Sequence, residues 1–301
     1  MPDSPPDTPM DVIRALIADS GMGTGTIADQ RATMEALLGS GPAPAGVAVE
    51  PTTIAGRPAE WLTPDGAGPD RALLYLHGGG YCIGSINTHR DLAGRIAVAS
   101  GMRVVNLDYR LAPEHPFPAA PDDATAAYRA LLAQGLAPER LAIAGDSAGG
   151  GLTLATLVAL RDAGDPLPAT AVLLSPWTDL TATSSTWTTR ADVDHLVQRE
   201  GLDAMAAAYL DGRATTDPGA SPRFADLHGL PPLLVQVGDA EVLLDDSVHL
   251  RDDAIAAGVP VTLDIWDDMV HVFQAFPPEL LPQAGESLAT IGAWLIGHTS
   301  P

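Results

Sequence analysis

Six short apolar runs recur along the chain: Leu73–Leu76, Met102–Leu107, Leu141–Ala144, Ala171–Leu174, Leu233–Val237 and Val261–Ile265. Most are continuous rather than alternating, as in strands buried on both faces of a parallel sheet. Between them, apolar positions fall three and four apart over Leu92–Ala99, Asp123–Leu132, Leu152–Arg161, Val242–Ala257 and Leu288–Leu295. That spacing predicts amphipathic helices. Strand alternating with helix predicts an α/β sheet joined by right-handed crossovers. Two regions break the alternation. Residues 10–39 read as one or two amphipathic helices ahead of the first strand. Residues 181–222 are a polar, alanine-rich insertion whose REGLDAMAAAYLDG stretch reads as helical. A segment that long inside a compact domain is usually a lid or cap. GSGPAPAG, residues 39–46, reads as a short linker, and no internal repeat is visible.

Composition narrows the function classes. The 301 residues suffice for one large α/β domain with a substantial core. Acidic residues outnumber basic ones 38 to 16, giving a net charge of −22. That excess would repel nucleic acid and anionic membranes alike, so neither is expected as a partner. All 16 basic residues are arginines. Without a lysine there is no P-loop, kinase, Schiff-base or Ser-x-x-Lys chemistry. The single cysteine, Cys82, excludes an internal disulfide and a thiolate zinc cage. The opening MPDSPPDTPM is acidic and proline-rich, unlike a signal or transit peptide, and no apolar run is long enough to insert in a membrane. A cytoplasmic location is expected.

The densest chemistry lies in LAIAGDSAGGGL, residues 141–152. Gly145-Asp146-Ser147-Ala148-Gly149 falls between a predicted strand and a predicted helix. At such a junction the serine takes strained backbone angles that lift its hydroxyl clear of the sheet, and flanking glycines let neighbouring chain pass close by. The following helix aims its unpaired N–H groups at the same spot. A glycine-rich turn alone could instead bind phosphate. A second motif favours a nucleophile: His77-Gly78-Gly79-Gly80 ends another predicted strand. Its backbone N–H groups are free to meet a developing oxyanion, and the expected donors are the amides of Gly79, Gly80 and Ala148.

A serine hydroxyl needs a base. Of eight histidines, His271 in DDMVHVFQAF follows the last predicted strand and comes after Ser147 in the order nucleophile, acid, histidine. A lone histidine beside Val, Met and Phe would otherwise be a core residue. The acid should follow the strand Leu233–Val237, where QVGDAEVLLDDS offers Asp239, Glu241, Asp245 and Asp246. Its role is to accept the second imidazole N–H and stabilise the imidazolium.

Taken together, these residues resemble the bacterial hormone-sensitive-lipase-like esterases. The resemblance rests on HGGG at 77–80, DYRLAPE at 108–114 followed by Pro118-Ala-Ala120, GDSAGG at 145–150, SPWTD at 175–179 and Met269-Val-His271. It implies an α/β-hydrolase fold, a mostly parallel central sheet flanked by helices and covered by a helical cap. The implied layout is residues 1–45 as amino-terminal cap helices, 46–180 as the first part of the core, 181–222 as the cap insertion and 223–301 as the rest of the core. The family's acid motif resembles Asp-Pro-Leu-x-Asp. Aligned on its leucine, Glu241-Val-Leu-Leu-Asp245 puts Glu241 at the catalytic place, a departure that leaves Asp239 as the rival.

The expected triad is therefore Ser147, Glu241 and His271, working on a small-molecule ester with no cofactor and no metal. Short acyl chains are implied, because a cap limits the pocket. Tyr81 and Phe273 are expected at the substrate, with packing as the plainer role for each. Asp108, Arg110 and Glu114 are expected to form a structural polar network. A deacetylase or amidase using the same triad is the enzymatic alternative. A non-catalytic small-molecule receptor of the same fold is the other, disfavoured because Ser147, His271 and an acid candidate are all present. The resemblance also implies a homodimer formed through the edge strand Val261–Ile265.

Overall fold

A computed structural model describes residues 8–300, so most of MPDSPPDTPM lies outside the described residues. Eight strands form one sheet: β1 Val47–Ile54, β2 Arg57–Pro64, β3 Ala72–Leu76, β4 Arg103–Leu107, β5 Leu141–Asp146, β6 Thr170–Leu174, β7 Leu233–Gly238 and β8 Val261–Trp266. Their order is β1-β2-β4-β3-β5-β6-β7-β8, with β1 and β2 antiparallel and the remaining six parallel. All six apolar runs are strands. β3, β5, β6 and β7 are buried along their whole length, which is why they read as continuous hydrophobic runs.

Nine α-helices accompany the sheet in the described residues: α1 Pro9–Ser20, α2 Ile27–Leu38, α3 Ile86–Ser100, α4 Ala119–Ala133, α5 Ala148–Ala163, α6 Thr186–Thr189, α7 Arg199–Leu210, α8 Leu244–Ala256 and α9 Pro282–Thr299. Residues 10–39 hold two helices. Each begins with a reciprocal Thr–Asp capping box, Thr8 with Asp11 and Thr26 with Asp29. α7 covers the REGLDAMAAAYL stretch. α3, α4 and α9 begin four to six residues ahead of their periodic runs, where Asn, Thr, Ala, Pro and Gly carry little apolar signal.

The β1–β2 hairpin went undetected in the apolar pattern. Its prolines, Pro51 and Pro58, argue against strands, and β1 buries only Ile54 fully. The two-residue turn Ala55-Gly56 has positive φ at both positions, 49° and 80°, but begins with alanine rather than the usual Asn or Asp.

Topology fixes where chemistry can occur. From β3 the chain crosses to β4 on one side, then returns to β5 on the other. The crevice beyond the carboxyl ends of β3 and β5 is therefore the switch point at which open α/β sheets bind ligands. Both glycine motifs sit there. The two helical segments outside the alternation lie above it. Met10, Ile13 and Ile17 of α1 pack with Met269, Val270 and Phe273, while Met205 and Tyr209 of α7 share a cluster with Tyr81 and Cys82. Among the described residues no helix is long and apolar enough to cross a membrane.

Candidate active site

Ser147 forms the junction between β5 and α5, with φ 52° and ψ −120°. For a residue with a Cβ that conformation costs about 1–3 kcal/mol, so neighbouring structure must hold it. It does: the Ser147 N–H donates to Leu174 O at 2.8 Å, and Ser147 O accepts from Trp177 N at 2.9 Å and Gly151 N at 3.1 Å. Glycine is required nearby because the chain is crowded. A Cβ on Gly149 would lie 1.9 Å from Leu76 O, and one on Gly145 would lie 2.3 Å from Gly149 O. The elbow therefore sits tightly against the end of β3. The Ser147 side chain keeps an 8 % exposure and makes no hydrogen bond within the described residues.

Gly79 and Gly80 follow β3 with φ of 110° and 59°, values that disfavour any side chain. Gly79 O accepts from Cys82 N at 3.0 Å and Ile83 N at 2.8 Å, which folds the loop back on itself. Among the described residues no acceptor meets the amides of Gly79, Gly80 or Ala148. Asp146 ties the two motifs together: its Oδ1 accepts Gly78 N–H at 3.1 Å and the Tyr75 hydroxyl at 2.7 Å. Burial pushes the Asp146 pKa up. His89, 3.4 Å away, together with Tyr75 and His77, outweighs that and holds it below the usual carboxylate value. Asp146 is thus an ionised strut between the loops.

His271 lies on the loop after β8, and its Nδ1 is 2.7 Å from Glu241 Oε2. Glu241 is completely buried on the turn after β7. Its other oxygen accepts the Gly238 N–H at 2.5 Å and the Ser175 hydroxyl at 2.8 Å, so both carboxylate oxygens are occupied. Asp239 points elsewhere: its Oδ1 accepts the Asp268 N–H at 2.7 Å, in the turn ahead of His271. Asp245 takes Ser185 and Thr186, and Asp246 takes the amides of Thr178 and Asp179. Of the four carboxylates in that stretch, Glu241 alone meets the histidine.

Burial opposes an imidazolium at His271. The hydrogen bond and charge of Glu241, with the Asp194 and Asp146 carboxylates behind it, outweigh burial and raise the His271 pKa above the usual imidazole value. His77 is the contrary case. Burial beside His89 lowers it to about 3, and its ring stacks on Tyr109 with centroids 4.3 Å apart, a structural position. Burial pushes the Cys82 thiol up to about 12, which removes it as a rival nucleophile. No cluster of His, Cys, Asp or Glu among the described residues is arranged to hold a metal ion.

Tyr81 and Phe273 are both buried. Tyr81 stacks on Tyr209 of α7 with centroids 3.9 Å apart, and Phe273 lies among the α1 contacts and against Trp266. The expected Asp108, Arg110 and Glu114 network holds for its first two members, since Arg57 donates to Asp108 O at 3.3 Å and pairs at 3.4 Å with Asp123, while Glu114 stands apart. Arg110 binds Asp123, and Glu114 reaches Arg31 of α2, which also donates to the Cys82 and Ala112 carbonyls. Two residues were given no role in the sequence reading. The Ser175 hydroxyl bridges Glu241 and the Val272 amide, and Asp194 binds the amide beside Glu241. Ser175 had one legible signal, its place directly after a strand in the SPWTD motif.

The comparisons with known proteins agree with this fold. The profile of a family described as having the alpha/beta hydrolase fold matches residues 73–275. An acetyl-hydrolase of Streptomyces hygroscopicus is 50% identical over 240 residues, covering 79% of each chain. An esterase of Acinetobacter venetianus is 40% identical over 246 residues, covering 81% of this chain and 80% of its own. A crystal structure of an esterase from the bacterial hormone-sensitive lipase family superposes with a TM-score of 0.94 at 49% identity over the full length of both chains. The esterase EstE5 gives a TM-score of 0.94 at 46% identity, covering 99% of this chain and all of its own. The chain belongs to the α/β-hydrolase family, among the bacterial esterases of the hormone-sensitive-lipase type.

Proposed function

We propose that this carboxylic ester hydrolase works through Ser147, His271 and Glu241, with the amides of Gly79, Gly80 and Ala148 as its oxyanion site. The observation that carries the reading is the buried Glu241–His271 hydrogen bond at the same carboxyl end of the sheet as the strained Ser147, whose hydroxyl has no partner among the described residues. Glu241 holds the Nδ1 proton of His271, which leaves Nε2 to take the proton of the Ser147 hydroxyl. The freed Oγ adds to the ester carbonyl, and the oxyanion rests on the three amides at the head of α5 and in the glycine loop. Collapse expels the alcohol, which His271 protonates, leaving an acyl-serine. Water then repeats the addition with His271 as base and releases the acid.

The proposal includes residues 8–45, the described part of the expected 1–45, and residues 181–222 as the two parts of a cap over the site. Met205 of α7 supports a pocket restricted to short acyl groups: a Cβ on Gly80 would lie 2.2 Å from its Sδ, so the side chain covers the oxyanion loop directly. Tyr81 and Phe273 would then support the pocket from behind, through Tyr209 and α1. Initial rates on p-nitrophenyl esters from acetate to palmitate are expected to peak below about ten acyl carbons. A peak at palmitate would contradict the capped pocket. The name of the Streptomyces relative supports a second reading, removal of acetyl groups from a metabolite by the same site. Higher kcat/KM on O- or N-acetyl compounds than on any p-nitrophenyl ester would favour it.

A pH profile tests His271. The neutral ring is the base, so kcat/KM should fall as pH drops through the free-enzyme pKa. Because that pKa is raised, the midpoint of the acid limb is expected above 6.5. A rate that does not fall on acidification would contradict the role.

A homodimer through β8 is also part of the reading. It is supported by the position of β8 at the sheet edge and by the exposed Ile265. Light scattering that shows a monomer at micromolar concentration would rule it out. The lone cysteine, which offers no internal disulfide, supports a cytoplasmic location.

A further inference from the structure

Asp194 stands in the insertion between α6 and α7, far in sequence from the sheet residues, yet it is only 1 % exposed. A carboxylate that deeply buried must have its oxygens occupied, and they are. Oδ1 accepts the amides of Leu196 at 3.1 Å and Val197 at 2.9 Å, which closes its own turn. Oδ2 accepts the Val242 amide at 2.9 Å, the N–H directly after Glu241. The same insertion grips that peptide from its other end, because the Thr186 hydroxyl donates to Val242 O at 2.7 Å. Glu241 is thus held at its carboxylate by its own strand, through Gly238 N–H, and at the following backbone by the insertion.

We propose that Asp194 is a positioning residue for the Glu241–His271 pair, fixing the Glu241 backbone through the Val242 amide and adding a second negative charge behind the imidazole. This rests on the reading of His271 as general base. The charged groups that act on His271 come from three elements: Glu241 from the turn after β7, Asp146 from the end of β5 and Asp194 from the insertion. Asp194 is the only one of the three supplied from above the sheet. A residue that merely capped its local turn would need the Leu196 and Val197 amides alone; the bond to Val242 serves the acid loop.

The test is Asp194→Asn in the full chain, read as the pH profile of kcat/KM on p-nitrophenyl butyrate, the split between kcat and KM, and the thermal midpoint. The amide removes the charge and sets an N–H against one of three N–H donors. The acid limb is expected to move to lower pH. At its plateau kcat should fall about tenfold with KM within about twofold, since the defect lies in alignment of the base and not in substrate binding. If the asparagine variant does not fold, Asp194→Ser, whose hydroxyl still accepts, carries the same expectation. NMR titration of His271 in the Ser147→Ala background, with and without the Asp194 change, reads the midpoint directly. A lower thermal midpoint with the acid limb and kcat unchanged would make Asp194 purely structural and overturn the proposal. His271→Gln run in parallel separates the two claims: activity within about tenfold of wild type would defeat the base assignment itself, whatever Asp194 does.

Discussion

Ser147→Ala is expected to lower kcat on p-nitrophenyl butyrate by about 10⁴- to 10⁶-fold while leaving the fold intact. The size follows from the step removed. Without Oγ no acyl-enzyme forms, and what remains is direct attack by water with the oxyanion site still in place, which in serine hydrolases retains only a small part of the acceleration. The stability expectation follows from the contacts. The Ser147 backbone is held by Leu174, Trp177 and Gly151, whereas its hydroxyl binds nothing among the described residues. Alanine loses no hydrogen bond and tolerates the positive φ no worse than serine. Thermal unfolding should therefore stay within a few degrees of wild type, corresponding to less than about 1 kcal/mol. Loss of activity accompanied by loss of fold would leave the nucleophile unproven, so both readouts belong to the same experiment.

The second large effect separates two neighbouring carboxylates. Glu241→Gln is expected to lower kcat by about 10³- to 10⁴-fold, as the neutral amide no longer holds the imidazole in the tautomer that presents Nε2 to Ser147. The substitution is satisfied only in the wrong tautomer, with the amide oxygen kept by Gly238 and Ser175 and the NH₂ donating to Nδ1. In the native pair one carboxylate oxygen accepts from Gly238 N–H and the Ser175 hydroxyl and the other from His271, so a glutamine that keeps the first two turns its NH₂ to the histidine and moves the ring proton to Nε2. Asp239→Asn keeps an acceptor for the Asp268 amide and should hold kcat within a few-fold of wild type. The reverse ranking in steady-state rates would move the acid to Asp239 and require a different conformation of the loop.

That choice shows where sequence reasoning stops. The six parallel strands, the Gly-x-Ser-x-Gly elbow and the HGGG loop were legible because each carries a local signature: an apolar run, or glycines where no Cβ fits. The acid was not legible from its residues alone. Four carboxylates lie within eight positions, and which one faces the histidine depends on the turn after β7, set by a bond from Gly238 N–H to the Glu241 side chain. The β1–β2 hairpin was missed for a related reason: an exposed edge strand with prolines buries too little to show a period. Asp194 and Ser175 act through contacts between segments about fifty and sixty residues apart in the chain, beyond the reach of any local pattern. Arg31, likewise, holds Glu114 and the Cys82 and Ala112 carbonyls from a helix 51 to 83 residues earlier. Local chemistry was readable; the partners that orient it were supplied by the fold.

The central claim is that Ser147 is the nucleophile, and covalent labelling tests it most directly. The chain has no lysine, so trypsin cuts only at arginine and releases residues 141–161 as one peptide in which Ser147 is the sole serine. After treatment with a fluorophosphonate ester, the account predicts one phosphonyl group per chain, carried by that peptide on Ser147, with activity lost in proportion to labelling and no label on Ser147→Ala. Label on another residue, or esterase activity that survives full labelling of Ser147, would contradict it.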